Sequence, residues 1–196
     1  ITSDLVDNAS IALGTSEVTL LELVSAFTPF ANGGSPVQPY IVTRITTRDG
    51  AILYERSGDE PGQVISNYDL GSMNRMMRAV VTQGTGRSAQ FSDFEIAGKT
   101  GTSQDYRDAW FIGYSAHYIA GVWAGNDDNS PTKKMTGGSI PAAIWKDVME
   151  QAQIATERML DRAGLRYELT PPSTETSLAQ FYGTFTLDSV RLATPW

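Results

Sequence analysis

One short stretch of the sequence brings a cation, hydroxyl groups and glycines close enough together to bind an anion. It reads Ile96-Ala97-Gly98-Lys99-Thr100-Gly101-Thr102-Ser103, and we interpret it as a short strand of small residues. Because side chains alternate along a strand, Lys99 and Gly101 would lie on one face and Thr100 and Thr102 on the other. Such a strand could hold an anionic ligand against its backbone. The same pattern also fits an ordinary edge strand, in which a lysine discourages pairing with another sheet.

The sequence around this strand matches a known protein family. Lys-Thr-Gly is a motif of the penicillin-binding proteins and the class A β-lactamases, which also carry Ser-x-x-Lys and a Ser-x-Asn type motif. The stretches that match are residues 12–19, 30–34, 84–89, 98–102, 108–114, 121–128 and 136–142. They follow the family's order over roughly residues 1 to 150. The chain therefore resembles the C-terminal half of the transpeptidase domain of class A high-molecular-weight penicillin-binding proteins, the bifunctional peptidoglycan synthases.

The resemblance implies a role for each polar residue of the strand. Lys99 and Thr102 would be catalytic: Lys99 supplies a cation, and the backbone amide of Thr102 is one of two donors to the oxyanion. Thr100, Gly101, Thr102 and Ser103 would bind the substrate, and the two threonine hydroxyls would bind its terminal carboxylate. No cofactor and no metal ion is expected.

Two other stretches have the form of the family's remaining motifs, and we interpret both as coincidental. Ser130-Pro131-Thr132-Lys133 reads Ser-x-x-Lys, but it follows Lys99 in a polar stretch, whereas the family's serine opens a buried helix. Ser72-Met73-Asn74 reads Ser-x-Asn, but Met73 falls on the apolar side of a predicted amphipathic helix. No nucleophile is therefore expected in this chain. The nucleophilic Ser-x-x-Lys and the Ser-x-Asn should lie upstream of Ile1.

Composition and charge argue against several other functions. The formal net charge of −7 is unfavourable for binding a phosphate backbone, so nucleic acid is not an expected partner. The single histidine, His117, lies in a tight strand connection, where a histidine is usually solvated rather than catalytic. Together with Asp127 and Asp128 it offers too few ligands for a metal site.

The start of the sequence indicates a piece of a longer protein. The first residue is Ile1 rather than methionine, and no apolar run approaches the roughly 20 residues needed to cross a bilayer. The resemblance implies that the protein lies on the periplasmic, extracytoplasmic face of the bacterial inner membrane. Its contact with the membrane would be made only through an upstream anchor that this chain lacks.

Capping residues and apolar periodicity predict the elements that position the strand. Helices should begin near Thr19, Asn67 and Ile140, the first two after the capping patterns Thr19-x-x-Glu22 and Ser66-x-x-Asp69 and the third after Ser139. Pro29 should disturb the first helix, since it removes the amide that would bond to Ser25. The predicted apolar faces are Leu20, Leu23, Val24, Phe27 and Phe30; Leu70, Met73, Met76, Met77 and Val80; and Ile144, Trp145, Val148 and Met149.

The predicted fold class is α+β, with an antiparallel sheet packed by helices, as part of the transpeptidase fold shared with serine β-lactamases. Strands over residues 95–103, 108–115 and 118–126 have short connections, which implies an antiparallel meander, and residues 40–47 and 51–56 predict a hairpin. Residues 1–163 would be the C-terminal portion of the transpeptidase domain. Residues 164–196 would be a linker and a tail of unknown role, with a weak strand pair over 178–190.

The function that the resemblance implies is D,D-transpeptidation, which is acyl transfer from a D-Ala-D-Ala stem peptide through a serine ester to an amine of another stem. The expected partners are peptidoglycan stem peptides, β-lactam antibiotics and the N-terminal half of the same protein, without which the chain should be inactive. Two alternatives stay open. One is a non-catalytic peptidoglycan-binding or scaffold module, and the other is a serine β-lactamase or carboxypeptidase, which shares Lys-Thr-Gly.

Overall fold

The computed structural model describes residues 1–58 and 61–162 of the chain. Within these ranges the helices are α1 (Leu20–Ala31), α2 (Asn67–Thr82) and α3 (Ile140–Arg162). The strands are β1 (Arg44–Thr46), β2 (Ile52–Glu55), β3 (Ala97–Thr102), β4 (Asp108–Tyr114) and β5 (Ile119–Gly125). This combination of helices with antiparallel sheets confirms the predicted α+β class. The linker, tail and strand pair predicted beyond residue 163 lie outside the described residues.

The first two helices begin where the capping patterns predict. The Thr19 hydroxyl accepts a hydrogen bond from the Glu22 amide while the Glu22 carboxylate accepts one from the Thr19 amide, which is a complete capping box. Ser66 accepts from the Asp69 amide at the start of α2. Pro29 does not end α1, which continues to Ala31.

A hydroxyl group compensates for the proline. The Ser25 carbonyl, which a helical amide at position 29 would normally bond, accepts a hydrogen bond of 2.7 Å from the Thr28 hydroxyl. Thr28 is almost completely buried, and its hydroxyl also accepts from the Val37 amide at 2.9 Å. The helix therefore keeps its last turn, and the chain that leaves it is held against its side.

The three-stranded sheet is an antiparallel meander in the order β3-β4-β5, as predicted. Its register pairs Lys99 with Ile112, Thr100 with Phe111 and Thr102 with Ala109. Among the described residues β3 pairs only with β4, so the second edge of β3 is open. The hairpin β1-β2 forms a separate two-stranded sheet and is shorter than the predicted runs.

Each face of the three-stranded sheet carries its own hydrophobic cluster. On the face that we call the α3 face, Phe111 of β4 packs edge-on against Trp145 of α3, with ring centroids 5.2 Å apart. On the opposite face, which we call the α1 face, Ala97 and Tyr114 pack with Met77 of α2 and with partly buried aromatic residues of α1. The register therefore places the Thr100 and Thr102 side chains on the α3 face and Lys99 on the α1 face.

The buried faces of α2 and α3 differ in part from the prediction. Met76 is 58% exposed, whereas Met77 is buried, and Ile144 and Val148 are 44% and 53% exposed. The reason is helical geometry, since neighbouring residues are about 100° apart and only one of two adjacent apolar stripes can face the sheet. On α3 that stripe contains Trp145.

Two further observations concern α3 and the membrane. Ser139 precedes α3 as predicted, but its hydroxyl bonds to the backbone of Thr136 instead of capping the helix. None of the helices described within residues 1–58 and 61–162 is both long and apolar enough to cross a bilayer.

Candidate active site

Lys99 is exposed at the open edge of β3. Its ammonium nitrogen Nζ donates a hydrogen bond of 2.6 Å to the backbone carbonyl of Thr100, so the long side chain folds back along its own strand. In the part of the chain that the structure describes, Lys99 forms no ion pair. Its positive charge is therefore not neutralised by a nearby carboxylate, and it is available to an anionic ligand.

Thr100 is joined to a residue that follows α2. The Thr85 and Thr100 hydroxyl oxygens lie 2.6 Å apart, and either one can be the donor. Thr85 stands between two glycines whose amides bond back to the last turns of α2: Gly84 to the Ala79 carbonyl at 2.8 Å and Gly86 to the Val80 carbonyl at 2.9 Å. The end of α2 thus presents Thr85 to β3.

Thr102 is joined to the segment that leads into α3. Its hydroxyl oxygen accepts a hydrogen bond of 3.1 Å from the Gly137 amide. A Cβ atom at Gly137 would lie 2.1 Å from the Trp110 carbonyl oxygen, and one at Gly138 would lie 1.9 Å from the Thr85 carbonyl oxygen. Because no side chain fits at either position, the two glycines allow this segment to lie directly on the backbone of the sheet and of the Thr85 turn.

Gly101 and Ser103 complete the strand. Gly101 lies opposite Trp110, whose Cβ would be 3.2 Å from an added Cβ at Gly101. Ser103 closes the connection to β4: its amide donates to the Asp108 carbonyl at 2.9 Å, and its hydroxyl accepts from the Asp108 amide at 2.7 Å. The Asp108 carboxylate accepts a further bond of 2.9 Å from the Trp123 ring nitrogen. The C-terminal end of β3 is therefore fixed by backbone and side-chain bonds.

The Ser130-x-x-Lys133 stretch does not form a buried helical motif. It lies in the loop between β5 and α3, and Lys133 is exposed. The hydroxyl and amide of Ser130 both bond to Asp128 and lower the pKa of that carboxyl below its usual value. Ser130 thus stabilises a loop carboxylate, and the geometry agrees with the interpretation of this stretch as coincidental.

The Ser72-x-Asn74 stretch has a structural role. Asn74 is 2% exposed, its side-chain nitrogen donates to the Phe30 carbonyl at 3.2 Å, and its side-chain oxygen accepts from the Tyr114 hydroxyl. Asn74 therefore joins α1, α2 and β4 inside the core. Ser72 lies on α2 and its hydroxyl accepts from Arg75.

His117 lies far from the strand's polar end. It is exposed in the connection between β4 and β5, at the end of the sheet where Ala97 pairs with Tyr114, whereas Thr102 lies at the opposite end. Within residues 1–58 and 61–162, no group of three or more histidine, aspartate or glutamate side chains is arranged to hold a metal ion.

Sequence reasoning missed two residues that bond to the strand, Thr85 and Gly137. Both lie in stretches that match the family, residues 84–89 and 136–142, but neither residue type in those stretches indicates a chemical role. The available signal was the glycines beside each of them, because paired glycines often mark close approach of one backbone to another.

The comparisons with known proteins agree with this arrangement. The family described as penicillin-binding protein transpeptidase domain matches residues 2–150. Penicillin-binding protein 1A of Aquifex aeolicus is 41% identical over 142 residues, which are 72% of this chain and 19% of that protein. The chain spans about a fifth of the length of the curated relatives it matches.

Solved structures show the same fold. The D,D-transpeptidase domain of a peptidoglycan glycosyltransferase from Eggerthella lenta is 26% identical with a TM-score of 0.59, over 71% of this chain and 33% of that one. The penicillin-binding protein PonA1 from Mycobacterium tuberculosis has a TM-score of 0.70 at 24% identity, over 86% of this chain and 44% of that one. The chain therefore belongs to the penicillin-binding protein transpeptidase family, and it covers part of the transpeptidase domain of a class A member.

Proposed function

We propose that this chain supplies the carboxylate-binding and oxyanion-stabilising part of a serine-type D,D-transpeptidase that cross-links peptidoglycan. The observation that carries the proposal is the geometry of β3. Residues 99–102 hold an exposed lysine, which forms no ion pair in the described part of the chain, and two threonine hydroxyls, which share the α3 face and bond to neighbouring segments. A cation and hydroxyl donors held by the fold suit the terminal carboxylate of a D-Ala-D-Ala stem peptide.

The proposed reaction is acyl transfer in two steps. A serine hydroxyl attacks the carbonyl carbon of the penultimate D-alanine, its proton passes through a neighbouring base to the departing amino nitrogen, and terminal D-alanine leaves. The acyl group remains on the serine as an ester. An amine of a second stem then attacks the ester, forms the cross-link and returns a proton to the serine oxygen.

Each residue of the strand has a role in this proposal. The Thr100 and Thr102 hydroxyls, on the α3 face, donate to the terminal carboxylate, and the Lys99 ammonium, which folds back along the open edge of β3, attracts it electrostatically. The Thr102 amide donates to the oxyanion that forms in each step. Gly101 keeps the strand free of a side chain on the lysine's face. Ser103 uses its hydroxyl oxygen to accept from Asp108, which leaves its proton for the substrate.

The nucleophile lies outside this chain in our proposal, in a Ser-x-x-Lys upstream of Ile1. Residues 1–163 are then the C-terminal portion of the transpeptidase domain of a bifunctional peptidoglycan synthase. Such a multifunctional enzyme builds the cell wall and so maintains cell shape. In this proposal the enzyme works in the periplasm and is held at the inner membrane by an anchor upstream of this chain. β-Lactams acylate the same serine, which agrees with the penicillin binding in the family's name.

Labelling with a fluorescent penicillin tests the proposal. Residues 1–196 alone should form no covalent adduct, whereas the complete polypeptide, or the chain mixed with its upstream half, should label. A stoichiometric adduct on the isolated chain, mapped to Ser130 or Ser72, would refute the placement of the nucleophile.

Two substitutions in the complete polypeptide test the role of the strand. Thr102→Val removes one hydrogen bond to a charged group, and such bonds are worth about 1.5–3 kcal/mol, or roughly one to two decades in acylation rate. Lys99→Ala removes a charge and should slow acylation more than that. Lys133→Ala is the matched control, since this lysine is exposed in the loop after β5 and should leave the rate unchanged. Equal rates for the Lys99 and Lys133 variants would contradict the assignment.

A further inference from the structure

We propose that Thr85 is a positioning residue of the carboxylate site and that it acts through Thr100. This inference rests on the proposed function, because it assumes that Thr100 and Thr102 donate hydrogen bonds to a substrate carboxylate. Its basis is a shared feature of the two threonines. Each hydroxyl oxygen is bonded to a group that comes from outside β3: Thr85 for Thr100 and the Gly137 amide for Thr102.

The direction of these bonds follows from the number of protons. A threonine hydroxyl has one proton and two lone pairs, whereas a carboxylate only accepts. Thr102 accepts from Gly137, since an amide nitrogen can only donate, and its own proton is left for the ligand. For Thr100 to donate to the same carboxylate, Thr85 must be the donor in the 2.6 Å contact between the two hydroxyls.

The fold holds Thr85 beside Thr100. Its backbone is fixed by the amide bonds of the glycines on either side of it to α2 and by the close approach of Gly138 to its carbonyl oxygen. An added Cβ at Gly86 would lie 3.1 Å from the Phe111 ring, so the turn also packs against the α3 face of the sheet. The Thr85 side chain itself is exposed, and its hydroxyl is bonded to Thr100.

The donated bond does two things for Thr100. When the carboxylate binds, this bond leaves the Thr100 proton directed at the ligand, and it polarises the hydroxyl, which makes its proton a better donor. Loss of a single neutral hydrogen bond corresponds to roughly a 2- to 12-fold change in an equilibrium or rate constant. The effect should therefore be smaller than that of Thr102→Val and specific to ligands with a carboxylate.

The experiment measures second-order acylation constants for the complete polypeptide with benzylpenicillin and with its methyl ester. Thr85→Val should slow acylation by benzylpenicillin about 2- to 12-fold and leave acylation by the ester nearly unaffected, because the ester has no charged acceptor for Thr100. Thr85→Ser should retain most of the wild-type rate, since it keeps the hydroxyl. Thr82→Val is the matched control: this threonine ends α2, its hydroxyl bonds within the helix to Arg78, and its loss should not change either rate.

A double variant tests whether Thr85 acts through Thr100. If it does, Thr85→Val should cause no further loss of acylation rate in a Thr100→Val protein. Circular dichroism melts should show that each variant is folded. Three results would overturn the inference and leave the proposed function intact. The rate losses of Thr85→Val and Thr100→Val could be additive, Thr85→Val could slow acylation by the ester as much as by benzylpenicillin, or Thr85→Val could acylate at the wild-type rate while Thr102→Val is slow. If Lys99→Ala and Thr102→Val are also as fast as wild type, the proposed function fails as well.

Discussion

Replacing Gly137 with alanine tests whether the proposed carboxylate site depends on the close packing of the segment before α3 on the sheet. A Cβ atom at this position would lie 2.1 Å from the Trp110 carbonyl oxygen and 2.5 Å from that of Gly101. Carbon and oxygen atoms in contact are normally about 3.3 Å apart. The segment that carries Gly137 must therefore move away from the sheet by roughly 1 Å.

That movement breaks the bond to Thr102. The Gly137 amide nitrogen lies 3.1 Å from the Thr102 hydroxyl oxygen. A displacement of about 1 Å takes this distance beyond the range of a hydrogen bond. Thr102 then loses the donor that fixes its hydroxyl, at a cost of about 0.5–1.5 kcal/mol, or roughly 2- to 12-fold in acylation rate. The shift of the backbone should also destabilise the protein by about 1–3 kcal/mol.

The assay compares acylation by benzylpenicillin with stability measured by urea unfolding, in the complete polypeptide. Gly58→Ala is the matched control, since a Cβ added there meets no atom within 4 Å and should change neither quantity. On a Thr102→Val background, Gly137→Ala should still destabilise the protein but should slow acylation little further, because the hydroxyl is already absent. If Gly137→Ala acylates and unfolds like wild type, the packing of this segment on the sheet is wrong.

Two further predictions concern stability. Hydrogen bonds from the Ser3 hydroxyl and then from the Thr2 hydroxyl are the main causes that hold the pKa of Glu22 below its usual range. Glu22 therefore stabilises the fold above the ordinary glutamate pKa of about 4.3, and this contribution is lost progressively as the pH falls below that value towards the lowered pKa of the folded state. Melting temperatures of wild type and Glu22→Gln should accordingly differ at pH 7 and converge on acidification, and a constant difference would contradict this role. Trp145→Ala should cost about 3–5 kcal/mol in urea unfolding, because this ring is completely buried, whereas Ile144→Ala on the exposed stripe should change stability by less than about 0.5 kcal/mol. Similar effects of the two changes would reverse the assignment of the buried face of α3.

Local patterns predicted the elements well because their causes are local. Thr19 and Ser66 mark helix starts through hydrogen bonds that span only three residues, and the limits of β3, β4 and β5 fall within about two residues of the predicted ones, whereas β1 begins four residues later than predicted. The buried stripe of α3 could not be predicted in the same way. Ile144 and Trp145 are both apolar and adjacent, and only the position of Phe111 on the sheet selects Trp145.

The contact between the Thr85 and Thr100 hydroxyls could not be predicted from local sequence patterns either, because it also depends on tertiary packing. Thr85 and Thr100 are 15 positions apart, and their contact depends on how the end of α2 packs beside β3. The resemblance marked both stretches without saying that they touch. The role that we propose for the strand came from Lys99 and its neighbours in the sequence, whereas the groups that bond to those neighbours became visible only in three dimensions.

The glycines around the site are best understood as consequences of that three-dimensional arrangement. Gly84 and Gly86 let the end of α2 bring Thr85 to β3, and Gly137 and Gly138 let a second segment lie against both the sheet and the Thr85 turn. Neither Gly137 nor Gly138 has a positive φ, so backbone conformation alone does not require glycine there. The requirement comes from the lack of space above the carbonyl oxygens of neighbouring strands and turns. A side chain at Gly137 would displace the amide that donates to Thr102, and one at Gly138 would press against the turn that carries Thr85, the partner of Thr100. The two glycines are therefore as necessary to the proposed carboxylate site as the threonines.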